Sequence, residues 1–241
     1  MKEQNTKIGT IISLDLLSVN AQLSKLGFDF IFIDLEHGNV SDACISAIIL
    51  AKKEGCKIFI RISEINEANI KHALDLACDG IIAPRVECLS EIKTLIDYSY
   101  YPPEGKRSIG FSLANQYGLE FNEYVKNFRP LIFPQIESKK GLEIVNEIAT
   151  FDGISGIFMG PYDLSSSLGV PGQFDSELYQ NAYNSVRAIC KKQQKAFGTF
   201  VSNPQSVAEE IKMGTELIAL GVDTNLILNM YQQMLNTVKD L

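Results

Sequence analysis

Eight times along this chain a short apolar run is followed by a segment with helical periodicity. The strand-like runs fall at residues 8–13, 28–35, 57–61, 80–86, 131–136, 154–159, 196–201 and 217–220. Helical patterns follow at 16–26, 41–54, 66–78, 89–98, 138–149, 173–194, 204–213 and 226–241, with one more short helix near 119–127. Such alternation implies a parallel sheet, because parallel neighbours need a crossover between them. The run at 28–35 is nearly all apolar, as a strand covered on both faces must be. Eight units in 241 residues favour closure into one α/β domain spanning 1–241, a (β/α)8 TIM barrel, over an open sheet. No Gly-rich dinucleotide fingerprint follows any strand, which argues against a Rossmann sheet.

Charge and cysteine usage narrow the partners. The 22 basic and 29 acidic residues leave a net charge of −7, with no basic block. That argues against nucleic acid or an anionic membrane as partner, and an anionic substrate then needs local help from arginine or a metal. The five cysteines form no C-x-x-C pair and read as reduced thiols of a cytoplasmic protein. Cys44, Cys78 and Cys190 fall in apolar helical patterns and read as core. The polar residues 1–7 are not followed by a signal-peptide pattern, and no apolar run approaches membrane-span length.

In a barrel of this kind the reactive residues gather where strands end. The apolar run Ile157-Phe158-Met159 stops at Gly160-Pro161, and Asp163 follows. One strand earlier, Gln135 and Glu137 occupy the corresponding end. Neighbouring strands lie about 5 Å apart. Glu137 and Asp163 could therefore share a hard divalent cation that prefers oxygen ligands, Mg2+ or Mn2+ first and Co2+ next. The competing reading has each acid capping its following helix.

His37 follows the acids Asp34 and Glu36 at another strand end and is one of only two histidines, so it is the candidate general base. His72, beside Lys71 in a helical pattern, fits a solvated residue better. Asp34 and Glu36 read either as further metal ligands or as caps and hydrogen-bond partners. Asp75 reads either as a solvated helix acid or as the carboxylate that fixes the His37 tautomer. Arg61 ends an apolar strand and needs an anion close by, a ligand or a structural carboxylate, with the ligand favoured. Arg85 and Arg107 are weaker candidates. The segment Gly160–Leu164 can expose backbone N–H groups at a helix start, suited to a substrate carboxylate, or can be a plain tight turn. No lysine ends any strand, and Lys57 begins one, so a Schiff-base mechanism lacks its nucleophile. Two acids, one base and one arginine fit metal-stabilised enolate chemistry instead. The long turn-rich loop at 101–110 is a candidate functional loop.

The stretches Asp34-Leu35-Glu36-His37-Gly38, Gln135-Ile136-Glu137 and Gly160-Pro161-Tyr162-Asp163-Leu164-Ser165, together with Tyr101-Pro102-Pro103-Glu104-Gly105-Lys106-Arg107, resemble the HpcH/HpaI aldolase family. The resemblance covers nearly the whole chain in order. It implies a (β/α)8 barrel of the phosphoenolpyruvate/pyruvate type and a divalent-metal-dependent class II pyruvate aldolase acting on 2-keto-3-deoxy acids. It also implies a homo-oligomer, a hexamer built as a trimer of dimers, with an exchanged C-terminal helix. By position, Glu137 and Asp163 look like the metal ligands, His37 like the base and Asp75 like its partner. Arg61 looks like the enolate-stabilising residue, and Gln135, Tyr162 (through its backbone N–H) and Asp163 like substrate contacts. Leu35, Ile62, Ser108 and Tyr162 depart from the family's usual Gly, Pro, Gly and Ala. The aldehyde site is expected to involve the 99–118 loop and a neighbouring subunit. Two alternatives remain: a citryl- or malyl-CoA-type carbon–carbon lyase, and a non-catalytic binding barrel.

Overall fold

The computed structural model describes residues 6–239. Residues 1–5 of the polar opening and 240–241 of the expected last helix lie outside the described residues. Eight strands close a parallel barrel in chain order: β1 (Lys7–Ile12), β2 (Phe30–Asp34), β3 (Lys57–Arg61), β4 (Gly80–Ala83), β5 (Leu131–Ile136), β6 (Gly156–Met159), β7 (Ala196–Val201) and β8 (Leu217–Val222). Outside them run α1 (Leu17–Leu23), α2 (Asp42–Ala51), α3 (Glu67–Asp75), α4 (Leu89–Ser99), α5 (Phe121–Asn127), α6 (Lys139–Ile148), α7 (Pro161–Leu168), α8 (Glu177–Gln193), α9 (Pro204–Lys212) and α10 (Asp223–Lys239). The expected (β/α)8 barrel is the observed one.

Side-chain caps set several helix starts. Ser41, Asn66, Ser138, Ser176 and Asn203 each accept a hydrogen bond from the backbone N–H three residues on. The boundaries differ from expectation where local chemistry intervenes. β4 stops at Ala83 rather than 86, because Pro84 has no N–H to donate and Arg85 is left-handed at φ +45°. α7 is a helix in its own right between β6 and α8, started by Pro161 at its first position.

Alternation along the strands decides what faces inward. Ile11, Phe30, Phe32, Phe59, Ile82, Phe133, Phe158 and Ala219 touch one another although they come from seven strands, so they fill the barrel. Their rings meet edge-on or tilted, with Phe32 and Phe158 at 5.5 Å and Phe59 and Phe133 at 5.3 Å. Space for these rings comes from small partners. A side chain on Gly9 would collide with the Phe30 ring. The intervening residues, Ile31, Ile33, Ile58, Ile60, Ile81 and Ile132 among them, pack against the helices.

The rim where the strands begin is closed by a repeated device. The residue just before each even-numbered strand accepts from the backbone N–H of the second residue of the preceding strand. Asp29 serves Ile8, Asp79 serves Ile58, Ser155 serves Ile132 and Glu216 serves Phe197, at 2.8 to 3.1 Å. The alternate N–H groups at this rim thus find acceptors where the ladder has ended.

Candidate active site

Continuing the inward alternation by one step places the site. In β2, Phe30 and Phe32 are followed inward by Asp34; in β3, Phe59 by Arg61; in β5, Phe133 by Gln135 and then Glu137. A polar layer therefore caps the aromatic interior at the rim where the strands end. β5 and β6 are parallel neighbours, with Ile136 opposite Met159, which brings Glu137 beside Gly160. A side chain at Gly160 would strike the carboxylate of Glu137, so only glycine lets α7 start this close to it.

Glu137 is buried and takes two donors: the Arg85 backbone N–H at 2.8 Å and the Gln135 amide at 2.5 Å. Its carboxyl is nevertheless pushed up to about 7, by burial first and then by the charges of Glu36 and Asp163, against the pull of Arg61 and the Arg85 N–H. Burial also raises Glu36, helped by Asp34 and Asp163 and opposed by Arg61 and His37. Glu36 Oε2 is buried with no hydrogen-bond partner among the described residues; its contact with Arg61 Nη1 at 3.2 Å is an ion pair only. The charges of Glu137, Glu36 and Asp163 thus act on one another with Arg61 as the cation beside them. Among the described residues no group of three or more His, Cys, Asp or Glu stands close enough together to hold a metal ion; Glu137 and Asp163 offer oxygen donors of the kind a hard divalent ion prefers.

Arg61 has a structural partner on one edge and faces the site with the other. Its Nε and Nη2 bind Asp34 at 2.8 and 2.7 Å, while Nη1 faces Gln135 Oε1 at 3.5 Å and Glu36. Burial alone would raise Asp34, but the two-pronged Arg61 contact outweighs it and holds the carboxyl below its usual range. Asp34 also accepts from the backbone N–H groups of Glu36 and His37, fixing the turn that carries the histidine. The sequence left Asp34 open between ligand and hydrogen-bond partner; the geometry makes it a positioning residue for Arg61 and His37.

His37 stands exposed over the site, with Nε2 3.8 Å from Glu36 Oε2. It borders two cavities that also share Asp163. The inner one, about 280 Å³, has an apolar wall of Ile11, Phe32, Phe158, Phe200 and Val222 and a polar side of Arg61 and Gln135. The outer one, about 490 Å³, is lined by Glu36, Glu137, Arg85, Lys139, Lys140 and the hydroxyls of Ser138, Ser166 and Ser167. Tyr162 borders the inner cavity, with its ring half exposed against Phe174 at 5.1 Å. Helix α7 starts at Pro161, so the first-turn N–H groups of Tyr162 and Asp163 have no intrahelical acceptor.

Asp75 is not brought to His37 within this chain. It ends α3, which descends from β3 to the start of β4, so it lies toward the opposite rim. There it accepts from Arg107 at 2.8 Å. Arg107 is buried under Tyr101, with its guanidinium carbon 4.7 Å from the ring centroid, and beside Tyr124 and Phe128. The loop expected to help bind the aldehyde joins α4 to β5 and belongs to that same far rim. It cannot serve its own barrel's site, because α-to-β connections close the rim where strands begin. Asp223, another strand-end acid, is also structural: it accepts from the N–H groups of Ser13, Leu14 and Thr224 and joins β1 to α10. His72 pairs with Asp42 at the surface at 2.9 Å.

The HpcH/HpaI aldolase/citrate lyase family model matches residues 12–230. A "2-keto-3-deoxy-L-rhamnonate aldolase" of Escherichia coli is 30% identical over 247 residues, covering 99% of this chain and 92% of its own. A "hydroxypyruvate/pyruvate aldolase" of Roseobacter denitrificans is 28% identical, covering 95% of this chain and 91% of its own. The solved structure of a HpcH/HpaI aldolase/citrate lyase family protein from Burkholderia cenocepacia superposes with a TM-score of 0.91 at 24% identity, over 99% of this chain and 96% of that one. The chain belongs to the HpcH/HpaI aldolase/citrate lyase family, and it is a carbon–carbon lyase.

Proposed function

We propose that the protein is a divalent-metal-dependent class II aldolase that reversibly cleaves a 4-hydroxy-2-oxo acid (a 2-keto-3-deoxy acid) to pyruvate and an aldehyde. What supports this reading is the placing of Glu137 beside Gly160 at the strand-end rim, next to the first turn of α7 that carries Asp163, with Glu36 and Arg61 Nη1 paired at the same rim. Glu137 and Asp163 hold the cation, Mg2+ or Mn2+, with Co2+ a further candidate. When bound, it supplies Lewis-acid polarisation of the 2-oxo group.

The chain's own residues do the rest. Gln135 aims Glu137 through its amide and contacts the 2-oxo acid. The first-turn N–H groups at Tyr162 and Asp163 receive the substrate carboxylate. His37 removes the proton of the C4 hydroxyl as the C3–C4 bond breaks. The electrons of that bond pass toward the 2-oxo oxygen, where Arg61, held by Asp34 through Nε and Nη2, stabilises the developing negative charge with Nη1. The apolar wall of the inner cavity keeps water from the reacting carbons. Proton return to C3 completes pyruvate.

Asp75 acts on His37 only from a second copy of the chain, since one chain holds the two toward opposite rims. A homo-oligomer, a hexamer or trimer of dimers, is consistent with α10. Leu228, Met230, Tyr231, Met234, Leu235 and Val238 are all exposed on it, a larger apolar face than a lone helix keeps in water. The five free thiols fit a cytoplasmic setting. Pyruvate release from a panel of 4-hydroxy-2-oxo acids, measured with added Mg2+ or Mn2+, tests the reading. Wild type should release pyruvate, and His37→Ala should lose roughly 10²- to 10⁴-fold in rate. Full activity in Glu137→Gln would contradict it.

A further inference from the structure

We propose that a third cavity, separated from the active site by Tyr162 and Phe200, binds a small primary ammonium ion. The cavity measures about 260 Å³ and lies between α8 and α9, beside the end of β7. One wall is a run of rings. Tyr162 meets Phe174 edge-on at 5.1 Å, Phe174 meets Tyr179 at 5.3 Å, and Tyr179 stacks on Tyr183 at 5.6 Å. The charged lining is acidic throughout: Asp175, Glu209 and Glu210, with no lysine, arginine or histidine. Arg187, outside the lining, pairs with Glu210 at 2.9 Å. Asp175 and Glu209 are exposed and make no ion pair among the described residues.

Two further observations point to a ligand that is positive and donates hydrogen bonds. The first is Tyr179. It is only 4% exposed, yet its hydroxyl makes no hydrogen bond among the described residues. Its neighbour Tyr183, by contrast, donates to Glu210 at 3.1 Å. A buried hydroxyl normally has a partner, and this one borders a cavity instead. Burial first and the Glu210 charge second raise the phenol, against the pull of Arg187, so it stays a neutral hydroxyl able to accept from an N–H. The second is Arg187, whose guanidinium carbon stands 4.8 Å from the Tyr183 ring centroid and 4.9 Å from that of Phe197. The inner end of the ring run thus already carries a cation, while Tyr162, Phe174 and Tyr179 carry none among the described residues. A second cation over these rings gains the same attraction, with Asp175 and Glu209 as its counter-charges. Three carboxylates repel an anion, and a quaternary ammonium has no N–H for Tyr179. Pro161, Tyr162 and Phe200 also line the inner active-site cavity. A cation seated here stands behind the first turn of α7, so it and a pyruvate carboxylate at that turn each favour the other's binding; this half rests on the aldolase reading.

Titration with n-butylammonium, followed by saturation-transfer NMR of the ligand, tests the site, with 1-butanol, butyrate and n-butyltrimethylammonium as matched probes. The primary ammonium should bind at least about 10-fold more tightly than the alcohol or the acid, and about 3-fold more tightly than the quaternary ion. Tyr179→Phe keeps the ring, removes the hydroxyl and should weaken binding about 5-fold. Asp175→Asn combined with Glu209→Gln changes two exposed side chains and should bring the ammonium to the level of the alcohol. Equal binding of ammonium and alcohol in wild type, or unchanged ammonium affinity in both variants, would overturn the site. Added Mn2+ and pyruvate should tighten ammonium binding about 5-fold, and no change would overturn the coupling. Exchange of the pyruvate methyl protons in D2O, followed without any amine, reports the aldolase reading separately. Absence of exchange with ammonium still bound would overturn that reading and the coupling, and leave the site standing.

Discussion

Asp79 at one rim of the barrel and Glu137 at the other are buried acids treated in opposite ways. Where strands begin, Asp79 receives Lys52, Lys57 and the Ile58 N–H, each at 2.8 Å. Burial alone would raise its carboxyl, but those three donors hold it below the usual value of 3.8. Asp29 and Glu216 likewise each accept a strand N–H. Where strands end, Glu137 and Glu36 are raised, and Glu36 Oε2 has no hydrogen-bond partner among the described residues. One rim uses carboxylates to finish the hydrogen bonding of the sheet. The other does so for Asp34 and Asp223 but brings Glu137 and Glu36 together at the mouth of the barrel, where burial and one another's charge raise them.

Substitutions separate the rims. The largest effect belongs to Glu137→Gln, which should lower pyruvate release at least ~10³-fold, because the cation loses a ligand. Its melting temperature should hold or rise slightly, since a crowded charge has gone. Calorimetry beside the pyruvate assay reads both at once. Dialysis against a chelator should abolish activity, and Mg2+ or Mn2+ should restore it, with no change in far-ultraviolet circular dichroism. Next comes Arg61→Lys. A single ammonium cannot grip Asp34 at two points and also face the substrate, so kcat should fall roughly 10²-fold with a smaller change in KM.

At the far rim, Asp79→Asn should cost about 2 kcal/mol of stability in urea titrations and leave kcat unchanged. Its pH dependence has a definite sign. The folded carboxyl lies below 3.8, so its contribution is fully present above that value and lost as pH falls through the lower folded value. The wild-type advantage over Asp79→Asn should therefore narrow only below about pH 4. The smallest effect is His72→Ala, which breaks the exposed pair with Asp42 and should change stability by less than ~0.5 kcal/mol.

Much of this was legible in the chain. Eight apolar runs separated by helical patterns imply the closed barrel, and the strand-end position of Glu137 and Asp163 puts both acids at one rim. Alternation carries further than strand ends alone. Counting by twos from Phe30 or Phe133 reaches Asp34, Gln135 and Glu137, so the polar layer is readable as a set. The grip of Asp34 on Arg61 was left open because an arginine fork can meet a ligand or a neighbour equally well. Arg85 read only as a weaker strand-end candidate, and Lys139 and Lys140 gave no signal, since cations at the start of a loop or helix are ordinary surface residues until a cavity is seen between them. Asp75 was left open between a solvated acid and a partner of His37, which the family resemblance implies; helix α3 carries it to the other rim of its own barrel, where Arg107 donates to it.

The most direct test is Mn2+ binding followed by electron paramagnetic resonance in wild type and in Glu137→Gln combined with Asp163→Asn. The account predicts one tightly held ion per chain whose signal changes when pyruvate is added, and loss of that ion in the double variant with its fold intact. Wild-type affinity for Mn2+ in the double variant would contradict it.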